Sequence, residues 1–423
     1  SKVALLITTL GTNDLGTILI NNCSAVLEYK QMPAEMSGTN ASDKLEGYYN
    51  LPIIKINGEL AGMNKDNAKQ VTYEYRNGNT VLTGSAKLKW QGNSSTAWNK
   101  KGYRLQPFTD NTFTKKEKVQ FIPSWSPTSK INLKAYYTDG LLSRDVVNAN
   151  IGANIASTNF SLPNDLKQED NFGFIDGFPI VLIFNNEFEG IYSFNTARSD
   201  FDYVKYGIMG NGYTNVTHFT STNKTDVKLD GSDFESLNPE TVTDDEKSAV
   251  GDLVTWVATS TDENFKADFE KHLDLKTTID YFILGNLLAS VDSFGKNQIY
   301  LSWDGQKWFM QAYDLDTTFG ISWEGKEQSL PTGLIGTENN LFNRLSKLFS
   351  AEISARYAEL RIWLTPAYVL DKYKKRINTI GVGNYKLEFA KWQNPSKDFA
   401  TYKQLKGAVN HQFSLLDQFW LKK

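Results

Sequence analysis

Residues 289–320 read ASVDSFGKNQIYLSWDGQKWFMQAYDLDTTFG, and the stretch gathers Asp292, Asn297, Asp314 and Asp316 around two short runs of alternating residues. Just upstream, LKTTIDYFILGNLLASVD (275–292) sets Ile279, Phe282, Ile283, Leu287, Leu288 and Val291 on one broad apolar face, the spacing of a buried helix. Thr277 followed by Asp280 resembles a capping box with Asp in place of Glu, and the helix is expected to run out at Asp292. NQIYLSW and QKWFMQAY then alternate around Asp304-Gly305, a strong hairpin signal. A two-residue loop sets Trp303 opposite Gln306 and, counting back, Asn297 opposite Ala312. Asp314 then shares a face with Asn297, roughly 7 Å away as a diagonal neighbour. Asp316 joins them if the strand persists. Oxygen donors at a hairpin mouth beside Asp292 suit Mg²⁺, which takes few protein oxygens and leaves positions for phosphate and water.

The rest of the chain sets bounds on this reading. Its 423 residues exceed one ordinary domain, although a single large domain with insertions also fits. Hydrophobic residues make up 40% and charged ones 22%, a globular balance able to bury a core. A formal charge of −3 supplies no field to recruit nucleic acid or an anionic membrane. Cys23 is alone, so no intrachain disulfide framework exists. His218, His272 and His411 lie far apart and form no zinc motif. No apolar run approaches the ~18 residues of a membrane span, and the opening SKVALLITTLGTND turns polar too early for a signal peptide.

Character shifts along the chain. Residues 1–48 read as short strands broken by turn clusters, a β-rich adapter or edge segment. Residues 49–200 form a strand-rich part. There VLTGSAKLKW and KGYRLQPF flank the polar loop QGNSSTAWNK, and FPIVLIF and EFEGIYSF flank the tight-turn pair Asn185-Asn186. A helix is expected over 141–157. Residues 201–260, rich in Asp, Asn, Thr, Gly and Ser, read as an irregular insertion. Residues 261–423 hold the helix and hairpin, then a helical tail from 339. Strands first and helices later predict an α+β chain of two lobes, mostly antiparallel sheet followed by mostly helix.

Protein kinases use an Asp to accept a substrate hydroxyl's proton, an Asn five residues later to hold metal, and a further Asp after a hairpin. Asp292 and Asn297 have that spacing, and Asp314-Leu315-Asp316 stands where a kinase has DFG. At this point the chain resembles the spore-coat protein H (CotH) kinases, atypical protein kinases with a diverged kinase-like fold. QGNSSTAWNKKGYRL, INLKAYYTDGLLSRDVVNANIG, PIVLIFNNEFEGIYSFN, the 280–320 segment and NNLFNRLSKLFSAEISARYAELR match that family's motifs in order, over roughly residues 50–380.

The resemblance implies an ATP-dependent protein Ser/Thr kinase using Mg²⁺ or Mn²⁺. Asp292 would be its base, with Asn297 and Asp314 as metal ligands and Asp316 as a second candidate. Asn93, Ser94 and Ser95 would contact phosphate. A lysine of the next strand would pair with the phosphates; Lys101 is favoured over Lys100 because its face, shared with Tyr103 and Leu105, is the more apolar, while Lys100 groups with Arg104, a further candidate for nucleotide binding. Asp139 and Arg144 would brace the fold. The chain departs from the family at Gln91 (Arg expected), Ile131 (Trp expected) and Thr196, where an acid is expected that could pair with the phosphate-binding lysine. Two other classes fit the sequence. One is a catalytically retired structural or adhesive module of a virion or extracellular assembly, binding partner chains instead of a protein substrate. The other is a glycan-binding or hydrolytic protein using paired carboxylates. The aromatic-rich composition and the Asn/Thr/Gly-rich stretch suggest an extracellular, surface- or particle-associated location.

Overall fold

Alternation shapes the first half of the molecule, which is known from a computed structural model describing residues 50–198 and 201–421. The expectation for residues 1–48 lies outside the described residues. Seven strands, β1 (Ile53–Asn57), β2 (Lys69–Asn77), β3 (Thr80–Gln91), β4 (Gly102–Phe108), β5 (Ile131–Lys134), β6 (Gly177–Phe184) and β7 (Glu187–Thr196), turn every second side chain inward. Ile54, Tyr75, Leu88, Leu105, Leu133 and Phe194 are among those fully buried. The expected antiparallel sheet closes on itself in the order β1-β2-β3-β4-β5-β7-β6. Closure comes from a parallel pairing of β1 with β6, Ile53 opposite Val181, which leaves no open sheet edge. Phe121, from the long β4–β5 connection, plugs the interior against Tyr75 and Phe194, ring centroids 5.5 and 5.0 Å away.

The outer face of the barrel carries the polar half of the alternation. Lys89 lies opposite Arg104, Arg104 opposite Asn132, and Lys134 opposite Ser193. The tight turn joining β6 to β7 forms at Asn185-Asn186, with φ of 47° and 68°.

A second sheet is built from β8 (Tyr206–Asn211), β9 (Phe234–Asn238), β10 (Lys296–Ser302) and β11 (Phe309–Ala312), in the order β11-β10-β8-β9. The supposed irregular insertion at 201–260 therefore supplies half of this sheet, plus a helix over Asp244–Thr259. Its short strands are masked in the sequence by GNGYTNVTHFTSTNKTDV (210–227), whose turn residues dilute the pattern. Ten α-helices occur among the described residues. They are α1 (Arg144–Ser157), α2 (Asn164–Gln168), α3 (Asp244–Thr259), α4 (Asp262–His272), α5 (Leu275–Leu288), α6 (Asn340–Leu348), α7 (Ser350–Arg361), α8 (Pro366–Ile380), α9 (Val382–Lys391) and α10 (Tyr402–Trp420).

Helix α5 is the axis of this half, packed against β11, α1, α7 and α10. Its cap is Asp274, whose carboxylate accepts the Thr277 N–H at 2.8 Å, one turn before the capping box expected at Thr277 and Asp280. Asp280 is instead buried and forked by Arg356 of α7, with Nε and Nη2 at 2.7 and 3.1 Å. The helix stops at Ala289, in the left-handed region at φ 52°, so that Asp292 begins a separate short turn.

The hairpin register differs by one residue from the sequence count. Gln298, not Asn297, lies opposite Ala312. Asp304 accepts N–H bonds from both Gln306 and Lys307 while Gly305 takes φ 83°, which lengthens the tight loop by a residue.

Candidate functional site

A cleft of about 540 Å³ lies between the outer face of the barrel and the mouth of the β10–β11 hairpin. Its roof follows from the barrel alternation: Lys89, Arg104 and Lys134 line it, with Lys65 and Lys130 from adjoining loops. Its floor is Asp292, Lys296, Asn297, Asp314, Asp316 and Thr317. Cations above and carboxylates below face each other across one cavity.

Local backbone sets the floor. Asn297 sits at a register break between β10 and β8 with φ 65°, and Asp314 follows the end of β11 with φ 56°. Asn and Asp tolerate this left-handed region better than most residues. Both side chains thus leave the strand alternation that the sequence count assumed, yet both line the cleft. The segment after Asp314 is held from α1. Asp145 accepts the Leu315 N–H at 3.0 Å, and Asn148 donates to the Leu315 carbonyl and the Thr318 hydroxyl, each at 2.9 Å.

Lys134, at the end of β5, reaches Asp314 at 3.4 Å. Burial works against its charge, but Asp314 and Asp145, with smaller help from Tyr313 and Asp316, hold it firmly protonated. Burial raises Asp145, with Lys134 opposing and Asp314 adding to the rise. Burial, then the nearby Asp314 and Asp145, pushes Asp316 far above the ordinary carboxylate range. Three carboxyl groups therefore surround one ammonium, and burial and mutual repulsion hold Asp145 and Asp316 toward their protonated forms.

The expected site residues divide into groups. Asn93, Ser94, Ser95, Arg104, Asp292, Asn297, Asp314 and Asp316 all line the one cleft. Asn93 accepts a hydrogen bond from Lys65, and its carbonyl receives the Thr96 N–H at 3.1 Å, forming the short turn Ser94–Ala97. Lys101 does not line the cleft. Its ammonium donates to the carbonyls of Thr96 and Trp98, bracing that turn, and lies 4.9 Å from the Trp90 ring. Lys100 touches the cleft wall, but its ammonium is consumed in the interior by the carbonyls of Ala135 and Ile191, at 3.0 and 2.6 Å, and by Glu388 of α9 at 2.7 Å. Of this pair Lys100 is the more buried, the reverse of the expectation, because its partner carboxylate arrives from a distant helix. Asp139 and Arg144 do brace the fold: they form a buried ion pair, and Asp139 accepts the N–H groups of Ser143 and Arg144 at the start of α1.

Thr196 closes the β6–β7 ribbon, its hydroxyl accepting the Asp176 N–H at 2.9 Å. Lys134, Asp145 and Lys296 were not singled out from sequence. The available signal was that Lys134 shares a strand face with Asn132, across from Arg104, in a segment already matched to the family.

Hard oxygen donors fit a divalent cation. Among the described residues no three Asp, Glu, His or Cys side chains converge in a metal-holding group. Mg²⁺ and Mn²⁺ take few protein oxygens and complete their shell with phosphate and water; Asn297, Asp314 and Asp316, the expected ligands, are oxygen donors lining this one cleft.

One face of the barrel and the mouth of the hairpin thus bring Lys134, Asp292, Asn297, Asp314 and Asp316 into a single cleft. The family model described as CotH kinase protein matches residues 88–416, from β3 to α10, and the chain belongs to that family. No curated protein matches the chain. No helix among the described residues is long and apolar enough to cross a membrane.

Proposed function

We propose that the chain is an atypical protein kinase with a two-lobed, kinase-like arrangement, transferring the ATP γ-phosphoryl group to a Ser or Thr hydroxyl of a protein. The observation that carries this reading is the Lys134–Asp314 pair in one cleft with Asp292, Asn297 and Asp316, under a roof of cations. In this reading Lys134 and Arg104 bind the phosphates, and the Asn93–Ser95 turn covers them with backbone and hydroxyl donors. A divalent cation on Asp314, Asn297 and Asp316 neutralises phosphate charge when bound. Asp292 accepts the acceptor hydroxyl's proton. The acceptor oxygen bonds to the γ-phosphorus, the bond to the β–γ bridging oxygen breaks, and ADP leaves.

The Lys134–Asp314 pair at the cleft favours a working site over a retired one. The test is transfer of labelled γ-phosphate to a mixed protein substrate with Mg²⁺ or Mn²⁺, alongside melting temperature with and without nucleotide. Saturation at 100 times Kd adds about 2.7 kcal/mol of stability. Asp292→Asn should lower transfer by about 10²–10⁴-fold while keeping that nucleotide-induced rise. A melting temperature that ignores nucleotide and metal, with no transfer, would leave the structural-module reading.

A further inference from the structure

Asp292 does not stand free in the cleft. Its Oδ1 accepts a hydrogen bond from the Tyr213 hydroxyl at 2.8 Å, and its Oδ2 lies 3.1 Å from the Lys296 ammonium. Lys296 comes from β10, one helical turn along from Asp292. Tyr213 comes from elsewhere, the loop after β8, and that loop is built to deliver it. Thr217 donates to the Gly212 carbonyl and accepts the Thr214 N–H, closing a tight arch with Tyr213 at its crown.

The phenol ring has a prepared seat. A Cβ on Gly295 would fall 1.9 Å from the Tyr213 ring, so only glycine at 295 admits it. His218 packs edge-on against the same ring, centroids 5.8 Å apart at 87°. The charged and titratable groups around this arrangement are Lys296 from β10, Tyr213 and His218 from the 212–218 loop, and Glu338 ahead of α6. A carboxylate offers about four lone-pair positions on two oxygens. With one taken on each side, its plane is fixed and one position on each oxygen stays open.

We propose that Tyr213 is a positioning residue for Asp292: with Lys296 it clamps the carboxylate so that an unused lone pair meets the incoming acceptor hydroxyl. This rests on the kinase reading above.

The experiment measures kcat and KM for phosphoryl transfer by the full chain with Mn²⁺ and ATP, comparing wild type, Tyr213→Phe and Gly295→Ala. Tyr213→Phe removes only the hydroxyl; Gly295→Ala keeps it but drives a methyl into the ring's seat. Both variants should lower kcat by about tenfold through misplacement of the base, with KM for ATP unchanged and, in Tyr213→Phe, the melting temperature unchanged. A kcat equal to wild type in Tyr213→Phe, or a loss that falls on KM for ATP instead of kcat, would overturn the positioning role. Phosphate found on Tyr213 would overturn it too, since the phenol would then be an acceptor. Failure of wild type to transfer phosphate under any condition removes the kinase reading, and this inference with it.

Discussion

Lys100 lies just before β4 and Lys134 ends its neighbour β5, and the molecule uses them in opposite ways. The Lys100 ammonium has all three protons spent on two carbonyls and the Glu388 carboxylate, with the Tyr192 ring 4.3 Å away. Glu388 is equally committed, its second oxygen taking the Ile191 N–H at 2.8 Å. Nothing is left over for a ligand. Lys134 meets Asp314 at the longer distance of 3.4 Å, at the edge of an open cleft and beside two further carboxyl groups whose charge burial disfavours. A satisfied buried pair ties elements together, whereas an unbalanced one at a cleft is poised for something from solution. Asp280 with Arg356 is a second pair of the first kind, joining α5 to α7.

This contrast can be broken most forcefully at Glu388. Removing one partner of a buried pair leaves an uncompensated charge and costs about 3–5 kcal/mol. Glu388→Ala should therefore lose that much in urea denaturation, with the loss shared by both halves of the molecule because α9 is pinned to β7 through it. A loss under 1 kcal/mol would show that Lys100 and Glu388 are not the strut described.

The next effect is a pH dependence at Asp280. Burial raises its pKa from 3.8 to about 6, against the hydrogen bonds and charge of Arg356. The folded value lies above the unfolded one, so the folded state binds more protons between about pH 4 and pH 6. The group's stabilising contribution is thus full below pH 4 and is lost as pH rises through 6. A shift of about two units corresponds to about 3 kcal/mol. Wild-type stability should drop across that window relative to Asp280→Asn, which has no proton to lose. A constant gap between the two proteins from pH 4 to 7 would refute the assignment.

How much of this was readable beforehand depended on the range of the contact. The Asn185-Asn186 turn and helix α5 are local, and alternation and periodicity expose them. The set of cleft residues was legible because motif order carries it, even though the hairpin count behind it was off by one. Asp304 holds two amides instead of one, and no propensity distinguishes those turns. Barrel closure was hidden, since it joins Ile53 to Val181 across most of the N-terminal half. Glu388 could not be matched to Lys100 for the same reason, 288 residues apart. Tyr213 was concealed in a stretch that reads as loop, and only its seat on Gly295 gives it away. Lys134 was the nearest miss: it belongs to a quoted motif, and the choice went instead to the strand beside it.

The smallest effect is the sharpest test of what the cleft is for. Asp316 faces Asp314 and Asp145 with Lys134 as the cation nearest all three, and burial adds to the cost of its charge. Sites organised to receive a ligand often lose stability in its absence. Asp316→Asn removes the cost of burying or protonating this carboxylate on folding, while keeping an oxygen that can accept the Thr317 hydroxyl, now at 3.2 Å. Without nucleotide or metal the variant should be more stable than wild type by about 1 kcal/mol, an ordinary gain for removing functional strain, and it should gain less on adding Mn²⁺ and ATP. At Lys100–Glu388 any charge removal destabilises; here it should stabilise. If Asp316→Asn weakens the ligand-free fold as Glu388→Ala does, the carboxylates of the cleft are struts as well, and the distinction between the two lysines disappears.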